Sequence, residues 1–237
     1  MKNIDKLLND FISDFKELYA ERLTSIVIYG SCAKESCDDK ESEVNAIVVI
    51  NNLSASDLKS ANKIIKKWVK ENNLPPIFMD KEEWFDSTDV YPIEYSDIKE
   101  RYKIIYGEDI VAPLNLSNQN LRLMCEHEIK NILIKLRQYY LLNSSDLKSV
   151  ESLIINATKS IIAVARGILK LSNNQVPHKP EDIVNLLSQS IDINKDTFLK
   201  VLESRHNKTI IKKDEYENIV QTLIDSTNSI LKVVDKL

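Results

Sequence analysis

The stretch from Ser25 to Ile50 constrains the fold most, because it holds two apolar runs on either side of a tight turn. The first run, Ile26–Tyr29, is β-branched and aromatic and stops at Gly30. The second run, Ala46–Ile50, is apolar at every position. Nearly continuous apolar runs are typical of strands that are covered on both faces. The stretch therefore predicts two neighbouring strands in a sheet, with helices packed on it.

Polar residues gather where these two strands meet. Glu43 and Asn45 stand at the entrance to the second strand, and residues at i and i+2 of a strand point to the same side. Gly30 and Ser31 form the turn at the end of the first strand. A serine that follows such a turn and begins a short helix can present its hydroxyl and backbone N–H groups to an anion. The alternative is a helix-capping serine beside a polar strand entrance that binds no ligand.

The Gly-Ser turn, the Glu-x-Asn pair and the region Tyr91–Asp109 together resemble the nucleotidyltransferase superfamily, which has the DNA polymerase β-like fold. That family has a Gly-Ser turn, a short helix, Asp-x-Asp on the next strand and a third carboxylate on a later strand. Tyr91–Asp109 resembles the later strand of bacterial nucleotidyltransferase-like proteins, which implies a strand at Tyr91–Tyr95 and Glu94 in the third acidic position. The resemblance also implies that Gly30 and Ser31 hold the phosphates of a nucleoside triphosphate.

The same resemblance implies that Glu43, Asn45 and Glu94 are the catalytic and metal-binding residues, with Mg²⁺ as the cofactor. Two Mg²⁺ ions, ~3.5–4 Å apart, stabilise the attacking and leaving oxygens in such sites. Here Asn45 lacks the charge of an aspartate and Glu43 is longer by one methylene, so two carboxylates stand in place of three. We therefore expect weak magnesium binding and a transfer activity that is weakened or lost. The alternative is compensation by neighbouring acids, for which the candidates are Asp39, Glu41 and Asp97.

Three functions stay open at this stage. The first is a nucleotidyltransferase-like protein that binds a nucleoside triphosphate with little or no transfer. The second is an active magnesium-dependent enzyme that modifies a hydroxyl of a small molecule or a protein. The third is a non-catalytic regulatory or partner-binding module, for which a homodimer is one form.

The composition limits the partners and the location. The net charge of −4 and the isoelectric point of about 5.6 disfavour nucleic acid, because general nucleic-acid binders are basic. Three glycines exclude a Gly-rich phosphate loop. We expect no membrane span and no signal peptide, since no apolar run of sufficient length is evident and the amphipathic N-terminus carries acids. Three cysteines without a zinc-type spacing indicate free thiols in the cytoplasm.

The overall pattern predicts an α+β chain of two domains. Residues 1–114 form a nucleotidyltransferase-like domain with a mixed sheet and flanking helices, and residues 115–237 form an all-α helical bundle. The boundary falls between Ala112 and Ser117, near Pro113. Further predicted elements of the first domain are helices at 3–22, 54–71 and 97–106, a helical turn at 81–85 and an extended segment at 76–79. Those of the second domain are helices at 121–142, 148–171, 181–190, 195–203 and 214–237.

Two patterns in the second domain suggest other chemistry. Arg122, Lys130 and Arg137 form a polar stripe that would bind triphosphate if it lined a cleft, or else a solvated helix face with i,i+4 salt bridges. Arg122 and His127 also have the spacing of the HEPN ribonuclease signature, but the polar residue that usually follows the arginine is missing. His127, His178 and His206 are scattered, which argues against a zinc site.

Overall fold

The computed structural model of the chain describes residues 4–34, 43–172, 175–207 and 211–237, with only the backbone given for residues 34 and 205–207. The described chain divides into two compact units, one that ends at Leu116 and one that begins at Ser117. Each unit is described by itself below. The division into independent domains at 1–114 and 115–237 stays a prediction.

The first unit is built on a mixed four-stranded sheet. Its strands are β1 (Leu23–Tyr29), β2 (Asn45–Ile50), β3 (Ile77–Asp80) and β4 (Tyr102–Gly107), in the order β3-β2-β1-β4. Strand β1 lies antiparallel to both β2 and β4, whereas β2 and β3 are parallel. The two strands predicted from the apolar runs are therefore adjacent in the centre of the sheet.

Helices cover both faces of this sheet, as the apolar strands predict. The helices are α1 (Ile4–Tyr19, extended by a 3₁₀ turn at Ala20–Arg22), α2 (Ser31–Lys34), α3 (Ala55–Lys70), α4 (Lys81–Asp86) and α5 (Pro92–Glu100). One core contains the apolar sides of α1 and α3, where Phe11 packs on Trp68 with ring centroids 4.1 Å apart. The other core contains Trp84 of α4 and Tyr95 of α5, whose rings lie 4.5 Å apart.

The predicted strand at Tyr91–Tyr95 is wrong, and the helix predicted at 97–106 is right only as far as Glu100. The chain forms α5 over Pro92–Glu100 and then β4, so helix and strand exchange places. Proline suits the first turn of a helix, where its missing N–H costs nothing, and Tyr95 and Ile98 then share the buried face at a spacing of three.

The second unit is entirely helical over its described residues. It contains α6 (Asn118–Asn143), α7 (Leu147–Leu171), α8 (Pro180–Leu187), α9 (Lys195–Asn207), a 3₁₀ turn at Lys213–Glu215 and α10 (Tyr216–Val234). The first two lie next to each other, α10 packs on both, and α8 and α9 pack on α7. Helix α7 is therefore the centre of the unit, as its nearly all-round apolar surface predicts. The chain belongs to the α+β class, with a mixed sheet followed by an all-α region.

Helix α7 is the segment that bears on the expectation of no membrane span. Among the described residues it is the one helix that passes for a membrane span by length and composition. However, 56% of its most apolar window is buried inside the protein, which is also the property of a core helix in a bundle.

Candidate active site

The turn after β1 has the geometry that the Gly-Ser pair predicts. Gly30 has a φ of +80°, a conformation that glycine adopts without strain, and its N–H donates to the carbonyl of Arg101 at 3.0 Å. Helix α2 begins at Ser31, whose side chain is exposed. The turn therefore brings the serine to the surface at the end of β1 and ties it to the start of β4.

Asn45 lies beside this turn. It is the first residue of β2, it is half-buried, and it stands opposite Tyr29 in the antiparallel register. The approach is close, because a Cβ built on Gly30 would lie 3.3 Å from Asn45 Nδ2. Glu43 is exposed and lies two residues before the strand begins, at the entrance where the sequence predicts it. Asn45 therefore lies on the strand, and Glu43 lies in the segment that leads into it.

A buried asparagine holds the segment that leads into β2. No sequence pattern identified this residue. Asn73 is 4% exposed, and its Oδ1 accepts the N–H of Val44 at 3.2 Å. Its Nδ2 donates to the carbonyl of Trp68 at 3.2 Å. Val44 separates Glu43 from Asn45, so one side chain from the loop after α3 fixes the backbone between the two predicted site residues.

Glu94 is placed differently from the prediction. It lies in the first turn of α5 and is exposed, six residues before Glu100, where the helix ends. At 1.5 Å per residue, it stands about 9 Å along the helix axis from that end. Glu94 therefore does not supply a third carboxylate from a strand, because this part of the chain is helical where a strand was predicted.

The strands next to β1 and β2 do not supply a third acid at this edge either. Strand β4 contains no acidic residue. The acid of β3, Asp80, pairs in register with Ile50, at the opposite end of β2 from Asn45. Its carboxylate caps α4 and accepts the N–H of Leu53, so it has a structural role there.

Two tyrosines flank the same edge. Tyr29 and Tyr102 stand opposite each other in the β1–β4 register, and the Tyr102 hydroxyl donates to Asp109 Oδ2 at 3.1 Å. Burial raises the pKa of Tyr29. Burial, and then the bond to Asp109, raise the pKa of Tyr102. Both phenols therefore stay neutral at physiological pH and present a partly aromatic surface beside Gly30.

Arg101, the residue before β4, is joined to the turn through its backbone. Its carbonyl accepts the Gly30 N–H, while its side-chain Nη2 is buried and has no hydrogen-bond partner among the described residues. Sequence reasoning missed Arg101 because the strand was placed too early in the chain.

The described residues do not fit a two-magnesium centre. Mg²⁺ takes octahedral oxygen ligands at ~2.0–2.1 Å, and a pair of these ions needs several carboxylates between them. Among the residues that the structure describes, no group of three or more His, Cys, Asp or Glu side chains could hold a metal ion. Asp39 and Glu41, two of the acids considered for compensation, lie outside the described residues. Magnesium binding by Glu43, Asn45 and Glu94 stays a prediction.

The polar stripe of α6 forms i,i+4 salt bridges. Glu126 Oε2 accepts from Arg122 at 3.2 Å, and its other oxygen pairs with Lys130. The side chain of His127 is 67% exposed and contacts Glu128. Arg122 is thus engaged by Glu126, which supports the solvated helix face over an arginine–histidine ribonuclease pair.

The cysteines divide into two kinds. Cys125 is a buried thiol in α6 that forms no disulfide. Cys32, next to Ser31, is disulfide-bonded, so the prediction of a free thiol is wrong there. Cys37 lies outside the described residues. The cysteines therefore give no uniform indication of the compartment.

The mixed sheet, the glycine turn against the entrance of β2 and the helical second unit define a nucleotidyltransferase-type fold. A comparison with solved structures agrees with this assignment. The crystal structure of spectinomycin adenyltransferase AAD(9) from Enterococcus faecialis, with ATP and spectinomycin, aligns with a TM-score of 0.60 and 13% identity. The alignment covers 94% of this chain and 99% of that one. No family model matches the sequence, and neither does any curated protein. The fold predicted from the sequence is confirmed, and at this identity the similarity shows the fold alone.

Proposed function

We propose that the protein binds a nucleoside triphosphate at the sheet edge formed by Gly30, Ser31, Glu43 and Asn45, and that its transfer activity is weakened or lost. The observation that carries the proposal is the close approach of Gly30 to Asn45 in a fold whose solved example holds ATP. The exposed Ser31 adds a hydroxyl at the same edge.

Weak transfer follows from the ligands at this edge. Phosphoryl chemistry of this kind depends on positioning and on cations that offset the charge of the phosphates. Asn45 offers a neutral oxygen, Glu43 lies outside the strand, and Glu94 lies on a helix. These residues would hold magnesium loosely.

Isothermal titration of the whole chain with ATP, GTP, CTP and UTP, each with and without Mg²⁺, tests the binding proposal. We expect heat with at least one nucleotide and a loss of affinity in Asn45→Ala. Asn131→Ala is the matched control, because Asn131 is an amide on α6 whose contact is with the exposed His127. The absence of heat with all four nucleotides would remove the proposal.

The transfer proposal requires an acceptor. ATP labelled in the α-phosphate would be incubated with spectinomycin, which accompanies ATP in the similar structure, and with whole-cell small-molecule extract. We expect little or no label transfer by the native chain and a gain in the double variant Glu43→Asp, Asn45→Asp. Efficient transfer by the native chain would instead make it the active enzyme that the sequence left open.

A partner-binding role is the second candidate, and one observation favours it. Leu141 and Leu142, at the end of α6, are 84% and 82% exposed, which is unusual for two adjacent large apolar side chains. A homodimer that covers them is one arrangement. Multi-angle light scattering of the native chain and of Leu141→Ser, Leu142→Ser tests it, since a dimer lost in the variant supports this role and a native monomer opposes it.

The remaining proposals concern partners and location. The acceptor, if there is one, is a small molecule or a protein, because the net charge of −4 opposes general nucleic-acid binding. We place the protein in the cytoplasm, where nucleoside triphosphates are made and used, and with no membrane partner.

A further inference from the structure

The side chain of Arg101 is an unexplained feature of the candidate site. The guanidinium group is always protonated and carries five N–H donors. A donor that is hidden from water without a partner costs free energy, and more so when the group is charged. Nη2 of Arg101 is such an atom, since it is buried and lacks a hydrogen-bond partner among the described residues. Arg101 as a whole is only partly buried, so an anion that reaches its accessible side and draws the guanidinium group outward would supply the missing acceptor.

The position of Arg101 relates this donor to the candidate site. Its carbonyl accepts the N–H of Gly30 at 3.0 Å, and Gly30 in turn approaches the side chain of Asn45. Tyr102, which follows Arg101, is paired with Tyr29, which precedes Gly30, and Tyr29 is paired on its other side with Asn45. Tyr102, Tyr29 and Asn45 therefore form one row across three strands, which lie ≈ 4.7–4.9 Å apart, and Arg101 and Gly30 occupy the next position beyond this row at the same edge of the sheet.

The charges at this edge differ from those of a metal-dependent site. Asn45 carries no charge, and β4 supplies no carboxylate to pair with Arg101. In a metal-dependent site the carboxylates hold cations, and the cations hold the phosphates. At this edge a cation, Arg101, is already built into the chain, so no carboxylate is needed to recruit one.

We propose that Arg101 binds the phosphates of the nucleotide directly, so that binding does not depend on a divalent metal ion. This inference rests on the proposed function, because it needs the nucleotide at this edge. Arginine suits the role, since its planar fork donates two parallel hydrogen bonds to phosphate oxygens. The ligand class is a nucleoside di- or triphosphate without bound metal, and the phosphate chain supplies the recognition.

Titration of the whole chain with ATP in EDTA and with ATP in Mg²⁺ tests the inference. We expect the native chain to bind ATP in EDTA, and Arg101→Gln to bind it at least about tenfold more weakly, as for the loss of a charged hydrogen bond. Lys103→Gln is the matched control, because it removes the same charge two residues further on from an exposed side chain. The control should change the affinity by less than about twofold.

The variant Arg101→Lys distinguishes the contribution of the positive charge from that of the bidentate hydrogen-bonding geometry. It should fold as the native chain does and bind ATP with an affinity between those of the native chain and Arg101→Gln, because lysine keeps the charge but loses the bidentate geometry. Inorganic tripolyphosphate should compete with ATP in the native chain, since the phosphates carry the contact. Thermal unfolding of each variant verifies that it is folded.

The results distinguish this inference from the proposed function. ATP binding that requires Mg²⁺, or an Arg101→Gln variant within twofold of the native chain in EDTA, overturns the role of Arg101 and leaves the proposed function in place. The absence of binding with every nucleotide in both buffers overturns the proposed function, and the inference with it.

Discussion

Replacement of Asn73 by alanine tests whether one buried amide holds the candidate site in shape. The side chain of Asn73 connects the loop after α3 to the backbone between Glu43 and Asn45. In Asn73→Ala the N–H of Val44 loses its acceptor. Val44 is fully buried, so this N–H cannot turn to water without a shift of the β2 entrance.

The structure sets the size of the effect. The carbonyl of Trp68 loses the Asn73 bond but keeps the N–H of Glu71 at 3.2 Å, so it is not left unpaired. The cost therefore comes mainly from one orphaned backbone donor, which is about 1–3 kcal/mol of unfolding free energy. ATP affinity should also fall, because Glu43 and Asn45 flank the released peptide.

Urea unfolding measures the loss of stability, and amide hydrogen exchange locates it. In Asn73→Ala the Val44 amide should lose most of its protection, whereas amides in the middle of β2, such as that of Val48, should fall only with the global stability. Asn72→Gly is the matched control, since Asn72 is exposed and has a φ of +62° that glycine accepts. An Asn73→Ala variant with native stability and a protected Val44 amide would refute the anchoring argument.

Two further predictions concern the fold around the site. Gly107→Ala and Gly30→Ala both place alanine at a left-handed φ, near +80°, at about 1–2 kcal/mol each. At Gly107 the added Cβ would also lie 2.0 Å from the carbonyl oxygen of Thr24. Urea unfolding should therefore show a larger loss of stability in Gly107→Ala than in Gly30→Ala, and equal losses would contradict this prediction. The bond from Arg22, and then that from Ser54, hold the pKa of Asp57 well below its usual range. The stabilisation from the ionised Asp57 is complete above the unfolded pKa, near 4, and is lost as the pH falls towards the folded pKa. Between pH 6 and pH 3, the urea midpoint should therefore fall less steeply with pH in Asp57→Asn than in the native chain. Equal dependence of the midpoint on pH in the two proteins would exclude this linkage.

Local patterns in the sequence were sufficient for much of the fold. Long amphipathic or apolar segments predicted α1, α3, α6, α7 and α10 to within a few residues, because a helix of sixteen residues or more repeats its pattern several times. The central strands were equally clear from their β-branched runs. The segment Tyr91–Tyr106 failed because its two short elements each show about two turns or three alternations, which is too few to separate the helical period from that of a strand.

The candidate site was less accessible from the sequence for a different reason. Gly30, Ser31 and Asn45 belong to neighbouring strands joined by one connection, so a short motif could identify them together. Asn73 and Arg101 reach the same edge from 28 and 56 residues beyond Asn45. Their roles depend on hydrogen bonds to backbone atoms, and a backbone partner leaves no residue type in the sequence to match.

The central position of α7 has a consequence for the order in which the protein matures. The last helix, α10, packs against both α6 and α7, yet it is synthesised after all the other elements. Until Tyr216–Val234 has left the ribosome, α7 keeps part of its apolar surface uncovered, and this is the segment whose length and composition suit a bilayer. The nascent chain therefore passes through a stage at which an apolar face of α7 is open to water, and the packing of α10 ends that stage.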